Sequence, residues 1–201
     1  MTFIPCSERE LYWNFACAEA NSSRYGGRYQ SRFSASLLDR VRLGKREELS
    51  EGDWRILKAV VVEIRGPLTT QLQELGTDWY EGSLPVEALD QVRLLDHRPF
   101  VQLAPSRGLG SFVSALDEGK DPPGDTGFGE NYRRFRREYE PTKSVGRPIL
   151  VAPALKGPYT EIEGLTRMCA LISKRRSKER VPHEVPILLG VCLQFDSWQW
   201  R

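Results

Sequence analysis

The C-terminal part of the chain carries the pattern that most restricts how this sequence can fold. Its segments with the composition of strands are 148–153 (PILVAP), 159–163 (YTEIE) and 185–193 (VPILLGVCL). Gly164 interrupts this series, and residues 166–173 then show the apolar spacing of a helix. The order predicts a β-β-α-β unit over residues 147–193, whose helix begins at Leu165 or Thr166.

The turn at Gly164 has the composition of an anion site. A glycine lets the backbone turn tightly without a Cβ clash, and the first N–H groups of the following helix have no partner within it. With the helix dipole these groups attract anions, and Thr166 and Arg167 add a hydroxyl and a forked cation. We predict a phosphate or nucleotide site at Gly164, Leu165, Thr166 and Arg167. The alternative is an ordinary turn in which Arg167 pairs with Glu163.

Glu161 and Glu163 are the candidate catalytic residues. They are two positions apart on a predicted strand, so their side chains share a face of that strand. A pair of carboxylates there would hold Mg²⁺ or act as a base. The alternative is that both belong to a solvent-facing edge.

Short motifs in this unit resemble the core of the ParB-like/sulfiredoxin-like superfamily. They are Pro148-Ile149-x-Val151, Glu163-Gly164-x-x-Arg167 and Arg167-x-x-Ala170, followed by Val185-Pro186. The resemblance covers residues 147–193 and implies a small mixed sheet in which the Gly-x-x-Arg turn holds nucleotide phosphates. It also implies a nucleotide such as ATP or CTP, with Mg²⁺, as the ligand. The activities of that family include CTP hydrolysis, ATP-dependent sulfinate repair, serine phosphorylation and nuclease action.

Departures from the family pattern narrow what the resemblance implies. Leu165 stands directly after the glycine, where the sulfiredoxin type has a cysteine, so we do not expect sulfinate repair. No helix-turn-helix pattern follows the core, so we do not expect a centromere-binding partition protein.

Basic segments in both halves of the chain are candidates for nucleic-acid contact. Arg24, Arg28 and Arg32 are interleaved with aromatic residues, and Arg133 and Arg137 lie on a predicted helix. Such a pattern is typical of surfaces that bind phosphates and stack on bases. The alternative is a solvated surface whose aromatic side chains pack inward, and the net charge of +2 does not decide between the two.

The sequence predicts an α+β fold in which a helix-rich region precedes the core. Within residues 1–120, the run 56–64 (ILKAVVVEI) is apolar and β-branched, which predicts one strong strand. Residues 121–130 contain several prolines and glycines and predict a loop or linker. The predicted regions are 1–120, packed on the core, the linker 121–130, and the core 131–201.

Composition excludes several classes of protein. No run approaches the ~18 apolar residues of a membrane span, and no signal peptide is recognised, so we expect no membrane contact and a cytoplasmic location. The cysteines and histidines lack metal-ligand spacing, which predicts no zinc and no disulfide. The tryptophans Trp198 and Trp200 either pack on the core or form a patch for a protein partner.

Several functions remain open at this point. The first is a nucleotide- or nucleic-acid-binding protein, regulatory or belonging to a mobile element or a defence system. The second is a Mg²⁺-dependent NTPase or phosphotransferase that uses Glu161 or Glu163. The third is a protein-interaction module with a degenerate site.

Overall fold

The fold centres on a five-stranded mixed sheet with the strand order β1-β2-β5-β3-β4. The computed structural model describes residues 2–22, 25–138 and 146–200. The strands are β1 (Ile4–Cys6), β2 (Asp78–Pro85), β3 (Ile149–Ala152), β4 (Thr160–Glu163) and β5 (Glu184–Val191). β5 pairs antiparallel with β2 and parallel with β3, and β4 closes the sheet antiparallel to β3. The predicted α+β class is confirmed.

Helices cover both faces of the sheet. Those on one face are α1 (Arg9–Glu19), α2 (Gly26–Arg32), α3 (Ala35–Arg42), α4 (Glu51–Arg65) and α5 (Pro67–Glu74). Those on the other face are α6 (Arg98–Leu103), α7 (Leu109–Asp117), α8 (Thr126–Glu138) and α9 (Leu165–Arg176). Short 3-10 helices lie at Arg46–Glu48, Val86–Gln91 and Phe195–Ser197. Alternate residues of β3 enter the two cores, with Ile149 on the α1–α5 side and Leu150 on the α6–α9 side.

The predicted β-β-α-β unit is confirmed as β3, β4, α9 and β5. The helix begins at Leu165, directly after Gly164, which has a left-handed φ of 92°. A Cβ on Gly164 would lie 2.9 Å from Cα of Pro148, so both the backbone conformation and the close approach of the preceding segment require glycine.

The strand predicted at 56–64 is wrong, because this run forms most of α4. Leu57, Val60 and Val61 are buried at the i, i+3, i+4 spacing of a helix face. Ser50 caps the helix: its Oγ accepts a hydrogen bond from the Asp53 N–H at 3.2 Å, and the Asp53 carboxylate accepts one from the Ser50 N–H at 2.9 Å. The cap and the packed face outweigh the β preference of the valines.

The segment 121–130 is only partly a loop. Residues 121–125 are irregular, but α8 begins at Thr126, so the second half of the predicted linker is helical. Strands β1 and β2 precede this segment in the chain and β3, β4 and β5 follow it, and all five belong to one sheet. At the C-terminus, Trp198 is 1% exposed and packs in the core on the α1–α5 side.

We expect Gly164→Ala to destabilise the protein. A side chain at this φ costs about 1–3 kcal/mol of folding free energy, and the clash with Pro148 adds to that. Urea unfolding measures the change. The control is Gly127→Ala in α8, where an added Cβ meets nothing within 4 Å and the change should stay within about 1 kcal/mol. Equal effects of the two substitutions would contradict the role assigned to Gly164.

Candidate functional site

The predicted phosphate-binding residues form the first turn of α9. Gly164 caps the helix without a side-chain hydrogen bond to it. The side chain of Leu165 packs in the α6–α9 core, and Thr166 is half-buried. Arg167 is 8% exposed, and its Nη1 donates a hydrogen bond to the carbonyl oxygen of Gly146 at 2.6 Å. Of these residues, Arg167 is the one whose side chain lines a cleft.

This cleft has a volume of about 450 Å³ and lies where α1, β2, the start of β3 and the start of α9 meet. Its charged lining residues are Arg46, Arg147 and Arg167, with the carboxylates Glu10, Glu47 and Glu81. Apolar walls come from Trp13, Pro148, Val185 and Pro186. The site therefore combines arginine forks, acceptor oxygens and flat apolar surface, which together suit a phosphorylated organic ligand better than a bare ion.

Ion pairs hold the cleft arginines in place. Arg147 pairs with Glu81 at 2.9 Å between Nη1 and Oε1, and Arg46 pairs with Glu10 and lies 3.9 Å from the Glu81 carboxylate. Asn14 of α1 accepts a hydrogen bond from the backbone N–H of Arg147 at 2.6 Å. Arg46 and Arg147 keep about 46% and 36% of their side chains exposed, so a ligand in the cleft can reach them.

The carboxylate of Glu163 lies in a different place, in an ion cluster between β4 and the α1–α5 layer. Arg65, the last residue of α4, binds Glu163 at 3.0 Å and also pairs with Glu19 of α1. Glu19 is 2% exposed along its side chain and accepts a hydrogen bond from the hydroxyl of Tyr29 at 2.6 Å. The ring of Tyr25 covers the Arg65 guanidinium at 4.3 Å. This cluster joins the helical layer to the strand that leads into α9.

Glu161 and Glu163 lie close to each other on β4, but neither of them lines the cleft. A bulge shifts the register, so that Glu163 lies opposite Ile149 whereas Glu161 lies opposite the next residue, Leu150. Glu161 is 2% exposed and accepts a hydrogen bond from the backbone N–H of Leu95. Burial, reinforced by the charge of Glu163, raises the pKa of Glu161 to about 8. The carboxylates of the described chain that line the cleft are instead those of Glu10, Glu47 and Glu81.

The structure does not gather the predicted nucleic-acid contacts on one surface. Arg24 lies outside the described residues. Arg28 and Arg32 belong to α2, and Arg32 pairs with Glu63 at 2.5 Å. The remaining two lie on α8 over the opposite face of the sheet, where Arg133 pairs with Asp121 at 3.2 Å and Arg137 is exposed. Tyr29 and Phe33 pack into the core, as the structural alternative for this stretch predicts.

In the described residues, no group of three or more His, Cys, Asp or Glu side chains is placed to hold a metal ion. No helix in this part of the chain is long and apolar enough to cross a bilayer. The cysteines are free, and Cys17, Cys169 and Cys192 are buried.

Sequence reasoning missed most of the side chains that build the site. Glu10, Arg46, Glu81 and Arg147 come from four separate segments that only the fold brings together. Arg147 directly precedes the Pro-Ile-x-Val motif, and that position was the one available signal. Arg65 directly follows the run 56–64, and no sequence spacing relates it to its partners Glu19 and Glu163.

Comparison with protein families, curated proteins and solved structures finds no match to this chain. The resemblance of residues 147–193 to the ParB-like/sulfiredoxin-like superfamily therefore stays a prediction.

We expect Arg65→Ala to be strongly destabilising. Removing the guanidinium leaves Glu19 buried without its cation, and breaking a buried pair in this way costs about 3–5 kcal/mol. Urea unfolding measures the loss. Arg9→Ala is the control, because it removes an arginine from an exposed pair with Glu51 and should leave the unfolding midpoint nearly unchanged. A small loss for Arg65→Ala would contradict a structural role for the cluster.

We expect Glu161→Gln to flatten the pH dependence of stability. The folded chain keeps the Glu161 proton up to about pH 8, whereas the ordinary pKa is 4.5. Wild-type free energy of unfolding should therefore fall between about pH 5 and pH 8 and level off above that. The variant should lose this part of the slope in urea titrations at several pH values.

The control for this titration is Glu179→Gln. Lys174 and Arg136 hold the pKa of Glu179 below its ordinary value, so it is already ionised throughout that pH window. A slope for Glu161→Gln equal to that of the wild type would show that Glu161 does not titrate there.

Proposed function

We propose that this protein binds a nucleotide, ATP or CTP, in the cleft at the start of α9, with Arg167 as a phosphate contact. The observation that carries the proposal is the convergence of Arg46, Arg147 and Arg167 on one cleft beside the first turn of α9, whose N–H groups donate no hydrogen bond to an N-cap side chain. The Glu-Gly-x-x-Arg resemblance at the same turn supports it.

The position of Arg167 is unusual for a residue with a purely structural role. A cation in the first turn of a helix is disfavoured by the helix dipole, by about 0.3–1 kcal/mol. Its guanidinium is also largely withdrawn from water, because the residue is 8% exposed. The Gly146 carbonyl accepts a hydrogen bond from this guanidinium, and an anion in the cleft would offset the cost that the helix dipole imposes. The partner foreseen by the structural alternative, Glu163, is bound to Arg65.

The rest of the cleft suits the remaining parts of a nucleotide. Trp13, Pro148 and Pro186 offer apolar surface to a base or sugar. Glu10 and Glu81 would be the oxygen ligands available to Mg²⁺ that accompanies the phosphates. Glu161 and Glu163 lie away from this lining, which favours binding without turnover over an NTPase or phosphotransferase. A cytoplasmic location would supply the nucleotide and keep the cysteines reduced.

We expect ATP or CTP with Mg²⁺ to raise the melting temperature of the wild type. At 100 times Kd a ligand adds about 2.7 kcal/mol, which is roughly 5–11 °C for a chain of this size. Arg167→Ala should abolish this shift, and Arg167→Lys should not restore it if the contact is a forked one. A thermal-shift screen of ATP, ADP, CTP and GTP, with and without Mg²⁺, measures it.

The matched control is Arg107→Ala. Arg107 also donates to a backbone carbonyl, that of Leu94, at 2.8 Å, but it lies outside the cleft. This variant should keep the full nucleotide shift. The proposal fails if no nucleotide shifts the wild type, or if Arg167→Ala binds with wild-type affinity.

A further inference from the structure

Basic segments from two parts of the sequence lie side by side at the C-terminal ends of α8 and α9. Arg136 of α8 donates from Nε to the Ser173 hydroxyl at 2.7 Å and from Nη2 to the Ser177 hydroxyl at 3.0 Å. Tyr132, one turn earlier, donates to Asp117 at 2.6 Å, and Ser173 donates to the same carboxylate. These contacts fix the basic end of α8 against the basic end of α9.

The surface that results, which we call the α8–α9 basic surface, consists of arginines and lysines from both segments. Its members are Arg133, Arg134, Arg136, Arg137, Lys174, Arg175, Arg176, Lys178 and Arg180. Asp121 pairs with Arg133, Glu179 with Arg136 and Lys174, and Asp90 with Arg175 and Arg176. Glu138 is a further exposed carboxylate on α8. Cations remain in excess after these pairings.

The excess resides in Arg134, Arg137, Lys178 and Arg180. All of them are exposed, and no salt bridge joins them to any other residue in the described parts of the chain. Arg134 bonds only to the neutral side chain of Asn131, at 2.9 Å. The helix dipole accounts for cations in the last turn of α9, but its effect fades beyond that turn. Lys178 and Arg180 follow the helix end and are not accounted for in this way, whereas Arg137 lies in the last turn of α8, where the dipole of that helix also favours a cation.

The other basic stretch of the sequence is arranged differently. Arg32, Arg40 and Arg46 each pair with a carboxylate from elsewhere in the chain, namely Glu63, Asp53 and Glu10. The sequence predicts nucleic-acid contacts in both regions, at Arg24, Arg28 and Arg32 and at Arg133 and Arg137. Both stretches contain paired cations, but they differ in the exposed cations that have no salt bridge to a described residue. In the described part of the first stretch this is Arg28, whereas the α8–α9 basic surface has four such cations at adjoining helix ends.

A polar pocket of about 470 Å³ borders the α8–α9 basic surface at Arg176. Ser106, Ser111 and Ser114 line it, and Arg176 donates to the Ser114 hydroxyl at 2.9 Å. Serine hydroxyls beside arginines are common contacts of phosphate and sugar oxygens. The pocket therefore extends the surface with hydroxyl groups, although its lining also includes Asp90, the ion-pair partner of Arg176.

We propose that the α8–α9 basic surface binds the phosphate backbone of a nucleic acid, independently of the nucleotide cleft. Its unpaired cations would neutralise phosphates and release counterions, which makes the affinity fall steeply with salt. The contacts are to phosphates and hydroxyls, so binding depends little on base sequence.

The test compares neutralising variants of equal charge. Fluorescence anisotropy with a labelled DNA duplex, and with a single-stranded RNA of the same length, gives Kd over roughly 50 to 200 mM salt. The triple variant Arg137→Gln, Lys178→Gln, Arg180→Gln should make the negative slope of log K against log salt shallower by about 2–3 on duplex DNA. At a fixed low salt its affinity should fall at least about tenfold. Circular dichroism melting checks that the variant folds. We expect it to fold, because the three substituted side chains are exposed.

The matched control neutralises Arg28, Lys45 and Arg55, which are exposed over the other face of the sheet. It should bind almost as the wild type does. Loss of binding in the control but not in the test variant would overturn the proposal and assign the contact to the face that carries Arg28, Lys45 and Arg55. Absence of salt-dependent binding by the wild type to either nucleic acid would overturn it too. The nucleotide thermal shift should be unaffected by the test variant, so failure of one site is separable from failure of the other.

Discussion

The burial of β5 on both faces is the constraint on which the rest of the structure depends. Ile187 and Leu189 point into one core and Leu188 into the other, and β5 has a paired strand on each side. A strand buried on both faces needs a covering layer above and below the sheet. The two helical layers supply this cover, and β5 lies between β2 and β3 in the sheet. The proposed nucleotide cleft lies where the α1–α5 layer meets the sheet.

Charged groups are buried at the junction of the α1–α5 layer and the sheet, at positions where apolar packing would leave the geometry less defined. Arg65 is bound by Glu19 and Glu163, which come from α1 and β4, so one guanidinium fixes three elements relative to one another. The cleft uses the same device with more exposed partners, since Arg147 and Arg46 are held by Glu81 and Glu10. The difference in exposure separates a structural cluster from one that a ligand can enter.

α9 connects the two proposed sites. Its first turn borders the nucleotide cleft through Arg167, and its last turn begins the α8–α9 basic surface at Lys174. The helix has 12 residues, which at 1.5 Å per residue separates the two ends by about 18 Å. One short helix therefore contributes residues to both proposed sites, and the rest of each site comes from neighbouring segments.

The β-β-α-β unit could be predicted from the amino-acid sequence, because its signals are local: the change of apolar period at Gly164 is visible without knowing what surrounds it. The sequence did not determine the state of 56–64, since an apolar run of that length fits a helix or a strand, and the cap at Ser50 and the packing of Leu57 and Val61 decided for the helix. Tertiary structure alone assembled the cleft and paired Glu163 with Arg65, because these partners are far apart in the chain and no period or spacing relates them.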